Sequence, residues 1–122
     1  MAAYIPCVRT GNLVYVSGQV PTVDGKPTHL GHLGDDVDLE AGRAAARTCA
    51  INVLAALKAE LGELSRVRRV VKVTGFVASA PGFTDIPKVV NAASVPTIEP
   101  SVSSGTTTMP RTTQSGRSQT IA

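Results

Sequence analysis

Few residues in this 122-residue chain are suited to chemistry. Ser17-Gly18-Gln19 follows the apolar run Leu13–Val16 and precedes Pro21, which has no N–H to extend a strand ladder. A glycine between polar neighbours at a strand end lets backbone N–H groups approach a small ligand, although such pairs also serve as plain turns. His29, His32, Asp35 and Asp36 are metal-ligand types, but histidines three apart bind one ion best from a rigid helix. Gly31 and Gly34 make this stretch flexible, so solvated loop side chains and no metal are expected. Cys7 and Cys49, the only cysteines, lie inside apolar runs and suit small buried hydrophobes better than a disulfide framework. Arg66, Arg68, Arg69 and Lys72 form the densest basic cluster. Without interleaved aromatics it reads as solvated charge at the start of a strand, and no nucleic-acid partner is expected.

The elements that must position these residues follow from local signals. Ile5–Val8 and Leu13–Val16 flank Thr10-Gly11-Asn12, whose Gly and Asn allow a tight reversal. Thr22–Asp36 reads as a loop with a second reversal at Asp24-Gly25. Asp38 is an N-cap for a helix carrying Glu40 in its first turn, running to about Leu61 and closed by Gly62. Ala46, Cys49, Ala50, Val53, Leu57 and Leu61 form its apolar stripe, and nothing on the helix reads as catalytic. Alternation over Val67–Ala78 predicts a strand, with Gly75 leaving a gap for a bulge or a close neighbour. Asp85 or Ile86 then caps a short helix with Pro87 in its first turn, and Pro96 ends it.

Composition changes abruptly after Ser94. Residues 95–122 hold 12 Ser or Thr among 28, carry no apolar periodicity, and read as a Ser/Thr/Pro-rich tail that cannot offset its own ordering entropy. A shifted reading frame produces such a break at one point; the alternative is a divergent C-terminus that forms strands. The expected organisation is one incomplete domain over 1–94 followed by this tail.

The totals restrict the function classes. The chain is 43% hydrophobic and only 3% aromatic, without Trp, so its core must come from Val, Leu, Ile and Ala. The net charge of +3 is spread along the chain. No apolar run of membrane-spanning length and no charged segment leading an apolar one occurs, so no membrane partner and a cytoplasmic location are expected.

Tyr4, GNLVYVSGQVP at Gly11–Pro21, VVKVTGFV at Val70–Val77 and VNAAS at Val90–Ser94 occur in an order that resembles the RidA/YjgF family of imine and enamine deaminases. The resemblance covers residues 4–94. It implies an α+β fold in which a mixed β-sheet packs on two helices, similar to bacterial chorismate mutase, with an atypical C-terminus. It also implies a homotrimer with small-molecule pockets between subunits, and hydrolysis of 2-imino or enamino acids to 2-keto acids and ammonia without cofactor or metal.

By the same resemblance Tyr4 is the catalytic residue, and Ser17, Gly18 and Asn91 face the imino or keto acid. A tyrosine hydroxyl can donate to a substrate oxygen or orient the attacking water. Asn91 equally suits a helix surface. The family's carboxylate-gripping Arg near the C-terminus has no match here: Arg111 and Arg117 stand in other contexts, and Val102 falls where a loose alignment would place it. A pocket protein that binds small metabolites without turnover, or a truncated inactive relative, are therefore the competing readings.

Overall fold

Gly11 and Asn12 turn the chain back as their residue types allow. The computed structural model describes residues 4–94, and in it β1 (Cys7–Thr10) pairs antiparallel with β2 (Leu13–Val16), Cys7 opposite Val16 and Thr10 opposite Leu13. Gly11 takes φ 55°, a left-handed value that costs glycine little. Cys7 is buried and Val14 and Val16 are half-buried, whereas Val8 and Tyr15, directly opposite each other, are exposed. The hairpin thus has a covered face and an open one.

The expected reversal at Asp24-Gly25 is also present. Asp24 at φ 51° and Gly25 at φ 74° join β3 (Thr22–Val23) to β4 (Lys26–Pro27), two positive values in succession as a two-residue hairpin turn requires. Part of the stretch read as a loop is therefore a short ladder.

Helix α1 (Leu39–Leu61) begins and ends where its caps place it. The Asp38 carboxylate accepts from the Ala41 N–H at 2.7 Å, and Gly62, at φ 83°, donates its N–H to the Lys58 carbonyl. Arg66, in a 3-10 turn at Leu64–Arg66, donates from Nη1 to the Leu61 carbonyl at 2.8 Å, satisfying another C-terminal acceptor. Helix α2 (Ile86–Ala93) starts after Asp85 with Pro87 in its first turn and packs on α1 more extensively than any other element. Its buried Val89, Ala92 and Ala93 let the helix axes approach closely.

The core is centred on residues that no periodicity marks. Leu33, Val37 and Val89 form its buried cluster, with Val77, Phe83, Leu39 and Ala46 packed around it. Leu33 is tied in by backbone bonds, its N–H to the Ala78 carbonyl at 3.0 Å and its carbonyl to the Ala80 N–H at 2.9 Å. It also faces Gly42 of α1, where a Cβ would sit 2.5 Å from Leu33 Cδ2. Only a residue without a side chain lets the helix lie this close to the loop.

The strand expected over Val67–Ala78 is not formed as a ladder among the described residues. No continuous strand runs across it; Thr74 within it and Ser79 just beyond it each make an isolated bridge, Ser79 with Leu33. Alternating β-branched residues equip a segment for a sheet, but pairing needs a neighbouring edge, and among the described residues β1–β2 and β3–β4 pair only within themselves. The gap at Gly75 does admit a close neighbour: a Cβ there would lie 3.0 Å from Val90 Cγ2 of α2. The fold class is α+β, two helices packed on small antiparallel sheets, with isolated parallel bridges at Leu33. The expectations for 95–122 lie outside the described residues.

Candidate functional site

Directly after β2 the chain leaves the ladder, and Ser17-Gly18-Gln19 runs between the hairpin and α1. The Ser17 hydroxyl donates to the Ile5 carbonyl at 2.7 Å and its N–H to the Pro6 carbonyl at 2.9 Å, so this serine ties the segment to the residues that follow Tyr4. Gly18 is exposed, and nothing lies within 4 Å of where a Cβ would stand, leaving its backbone open to a ligand. Gln19 donates from Nε2 to the Ser17 carbonyl at 3.2 Å, and its side-chain carbonyl remains an acceptor.

Gln19 separates two concavities and lines both. One is a cleft of about 330 Å³ between the start of the chain and the C-terminal half of α1, lined by Tyr4, Pro6, Cys7, Gln19, Ala56, Ala59 and Glu60. Its polar groups are a phenol, an amide, a thiol and a carboxylate. The other is a groove of about 480 Å³ whose walls are Gly18–Pro21, the N-terminal half of α1, the segment Thr74–Ala78 and α2. That groove is predominantly apolar, but the Thr74 hydroxyl is buried in its wall without a hydrogen-bond partner among the described residues. No Lys or Arg is among the described residues lining either concavity.

The residues implied by the sequence are therefore divided. Tyr4, half exposed, lies in the cleft; Gly18 lies in the groove; Gln19 joins them. Ser17 lines neither and is engaged with the backbone of Ile5 and Pro6. Asn91 stands exposed on α2 and borders neither concavity. Glu60 and Thr74 were not singled out by sequence reasoning; Glu60 sits among charged residues that read as a solvated helix face.

The histidine and aspartate loop is structural. Asp36 accepts a bond from the His32 N–H, and the His32 carbonyl accepts from Asp35 and Val37 N–H groups at 3.2 and 3.1 Å. No group of three or more His, Cys, Asp or Glu residues that could hold a metal occurs among the described residues. His29 is exposed, as expected, and borders the groove. Both cysteines are free thiols. Burial, and secondarily the charge of Glu60, pushes the Cys7 thiol above its ordinary value, and burial does the same to Cys49. A thiol so disposed is a poor nucleophile at neutral pH. No helix among the described residues is long and apolar enough to cross a membrane.

Comparison with known proteins bears on this arrangement. The family model described as "YjgF/chorismate mutase-like, putative endoribonuclease" matches residues 1–109. Protein TCP17 of Trypanosoma cruzi is 44% identical over 91 residues, covering 75% of this chain and 57% of that protein. The solved structure of the protein Atu1372 with unknown function from Agrobacterium tumefaciens aligns with a TM-score of 0.73 at 50% identity, covering 75% of this chain and 59% of that one. That of a "putative endoribonuclease" from Shewanella oneidensis MR-1 aligns with a TM-score of 0.73 at 33% identity, covering 77% and 62%. The chain spans about three fifths of the length of these relatives. Two helices on antiparallel hairpins, an open glycine after β2 and a family match over most of the sequence agree: the chain belongs to the YjgF/chorismate mutase-like family.

Proposed function

We propose that the chain acts in the hydrolytic deamination of 2-imino and enamino acids to 2-keto acids and ammonia, as the pocket-forming part of a homotrimer and without a cofactor or metal. The observation that carries this reading is the placement of Tyr4 and the open Gly18 backbone on either side of Gln19, in a chain of this family. In the reaction water adds to the C=N carbon, a proton moves to nitrogen, and the carbinolamine collapses with C–N cleavage to ketone and ammonia. The Tyr4 hydroxyl orients that water or donates to a substrate oxygen, and Glu60 is the carboxylate that lines the same cleft. Cleavage of RNA, the activity in the name of the Shewanella protein, asks for cations against phosphates, and the cavity linings described supply none.

The predominantly apolar groove beside Gly18 favours a second reading, a trimeric pocket that binds small keto compounds without turnover. Ammonia release from 2-aminoacrylate generated in situ separates the two. Wild-type chain is expected to accelerate release above spontaneous hydrolysis, and Tyr4→Phe to lower that acceleration by about a hundredfold. Release at the spontaneous rate, with pyruvate still raising the thermal midpoint, gives the binding reading instead; neither effect leaves the inactive relative.

A further inference from the structure

The wall that carries Gly18 and Gln19 is held at both ends. At its start, Ser17 fixes it to the Ile5 and Pro6 carbonyls. At its far end the holding group comes from the middle of α1: Asn52 Nδ2 donates to the Val20 carbonyl at 3.2 Å, the Thr22 carbonyl at 3.1 Å and Thr22 Oγ1 at 3.4 Å. Two backbone carbonyls can only accept, so the amide must present its NH₂ to them, and the bonding pattern sets its orientation. Thr28 adds a second tie, its N–H and hydroxyl donating to the Pro21 carbonyl at 2.7 and 2.9 Å. Between these anchors Gly18 and Gln19 form the short span that borders both concavities.

We infer that Asn52 is a positioning residue for this site: its amide clamps Val20–Thr22 to α1 and thereby sets where the Gly18 backbone and the Gln19 side chain stand. A glycine-containing span released at one end regains conformational freedom that must be lost again on binding. Asparagine is a mediocre helix former in mid-helix, so helix propensity alone does not account for it there. Its polar head instead bridges about thirty residues of sequence, connecting the helix to the one segment shared by both concavities. The ligand assigned to the span rests on the proposed deaminase reading; the clamp does not.

The test uses the full chain and the isosteric variant Asn52→Asp, which keeps the shape and loses the donor. At neutral pH its carboxylate faces two carbonyl oxygens, and the backbone ¹⁵N order parameters of Gly18 and Gln19 are expected to fall from about 0.85 to below about 0.6. The pyruvate dissociation constant should rise about tenfold by chemical-shift titration. Lowering the pH through the carboxyl range, about 4 to 5, restores one O–H donor, and both readouts should recover in Asn52→Asp but not in Asn52→Ala. Unchanged order parameters at Gly18 and Gln19, or losses that ignore pH and match those of Asn52→Ala, overturn the clamp. So does failure of both variants to fold, which would make Asn52 a determinant of the fold instead. If wild-type chain does not bind pyruvate, the ligand reading fails, and the order parameters alone decide the clamp.

Discussion

Burial governs the two thiols more than any partner does. Cys7 under the hairpin and Cys49 against the groove both have their ionisation pushed upward from 9.0, chiefly because the charged thiolate loses water contact in the folded chain. Folding therefore favours the neutral thiol. The stability this contributes is fully present below the unfolded value and is lost as pH rises through the folded values, because the unfolded chain releases those protons first. The thermal midpoint is expected to fall as pH rises above 9.0, and less steeply in the double variant Cys7→Ala, Cys49→Ala. Equal slopes in the two proteins would assign the alkaline loss to other groups. Legibility at this scale was uneven. That both cysteines act as small hydrophobes followed from their apolar neighbours, but the positions of Asn52 and Glu60 did not follow from their charged and polar ones. The available signal was spacing: Asn52, Ala56 and Glu60 stand four apart, one face with a small residue between two polar heads. That pattern fits a solvated face equally well until a partner segment is known to lie against it.

Elements announced by local chemistry formed where expected. Both reversals, at Gly11-Asn12 and Asp24-Gly25, and both caps of α1 depend on residues adjacent in sequence, so no distant contact is needed to predict them. Leu33 is the opposite case, a single apolar residue among Gly, His and Asp whose burial is decided by α1, α2 and the Ala78–Ala80 backbone together. Val67–Ala78 forms no ladder among the described residues for a related reason, since alternation specifies a face but not the edge that will pair with it. The contrast between the two helix starts makes a quantitative prediction. Asp38 accepts from Ala41 N–H at 2.7 Å, whereas Asp85 makes no side-chain cap bond and only an exposed i,i+3 pair with Lys88 at 2.9 Å. Asp38→Ala should destabilise the chain by about 1 kcal/mol in urea titration, and Asp85→Ala by about 0.5 kcal/mol or less. Equal losses would mean that α2 is capped in solution by its own aspartate.

At the scale of the whole molecule, the apolar surface of the described residues is poorly covered by their own elements. Val8, Tyr15 and Leu13 share the open face of the β1–β2 hairpin at 53%, 60% and 43% exposure, and Phe76 is 91% exposed beyond Gly75. Among the described residues no large side chain is completely buried. A contiguous apolar patch on a paired strand face is normally covered by a partner, and the homotrimer proposed above would supply one from the same chain. If association covers this face, folding and assembly are linked, and dilution must lower the apparent stability. The molar mass by light scattering should rise toward three times 12.6 kDa with concentration, and the thermal midpoint should rise with it. Tyr15→Glu, opposite Val8 on the open face and away from Cys7, should leave the hairpin register intact while placing a charge where a partner would pack. It is expected to give a monomer with a lower, concentration-independent midpoint. A wild-type monomer that melts cooperatively at a midpoint unaffected by dilution would show that this hairpin face needs no second copy, and would remove the homotrimer from the proposed function.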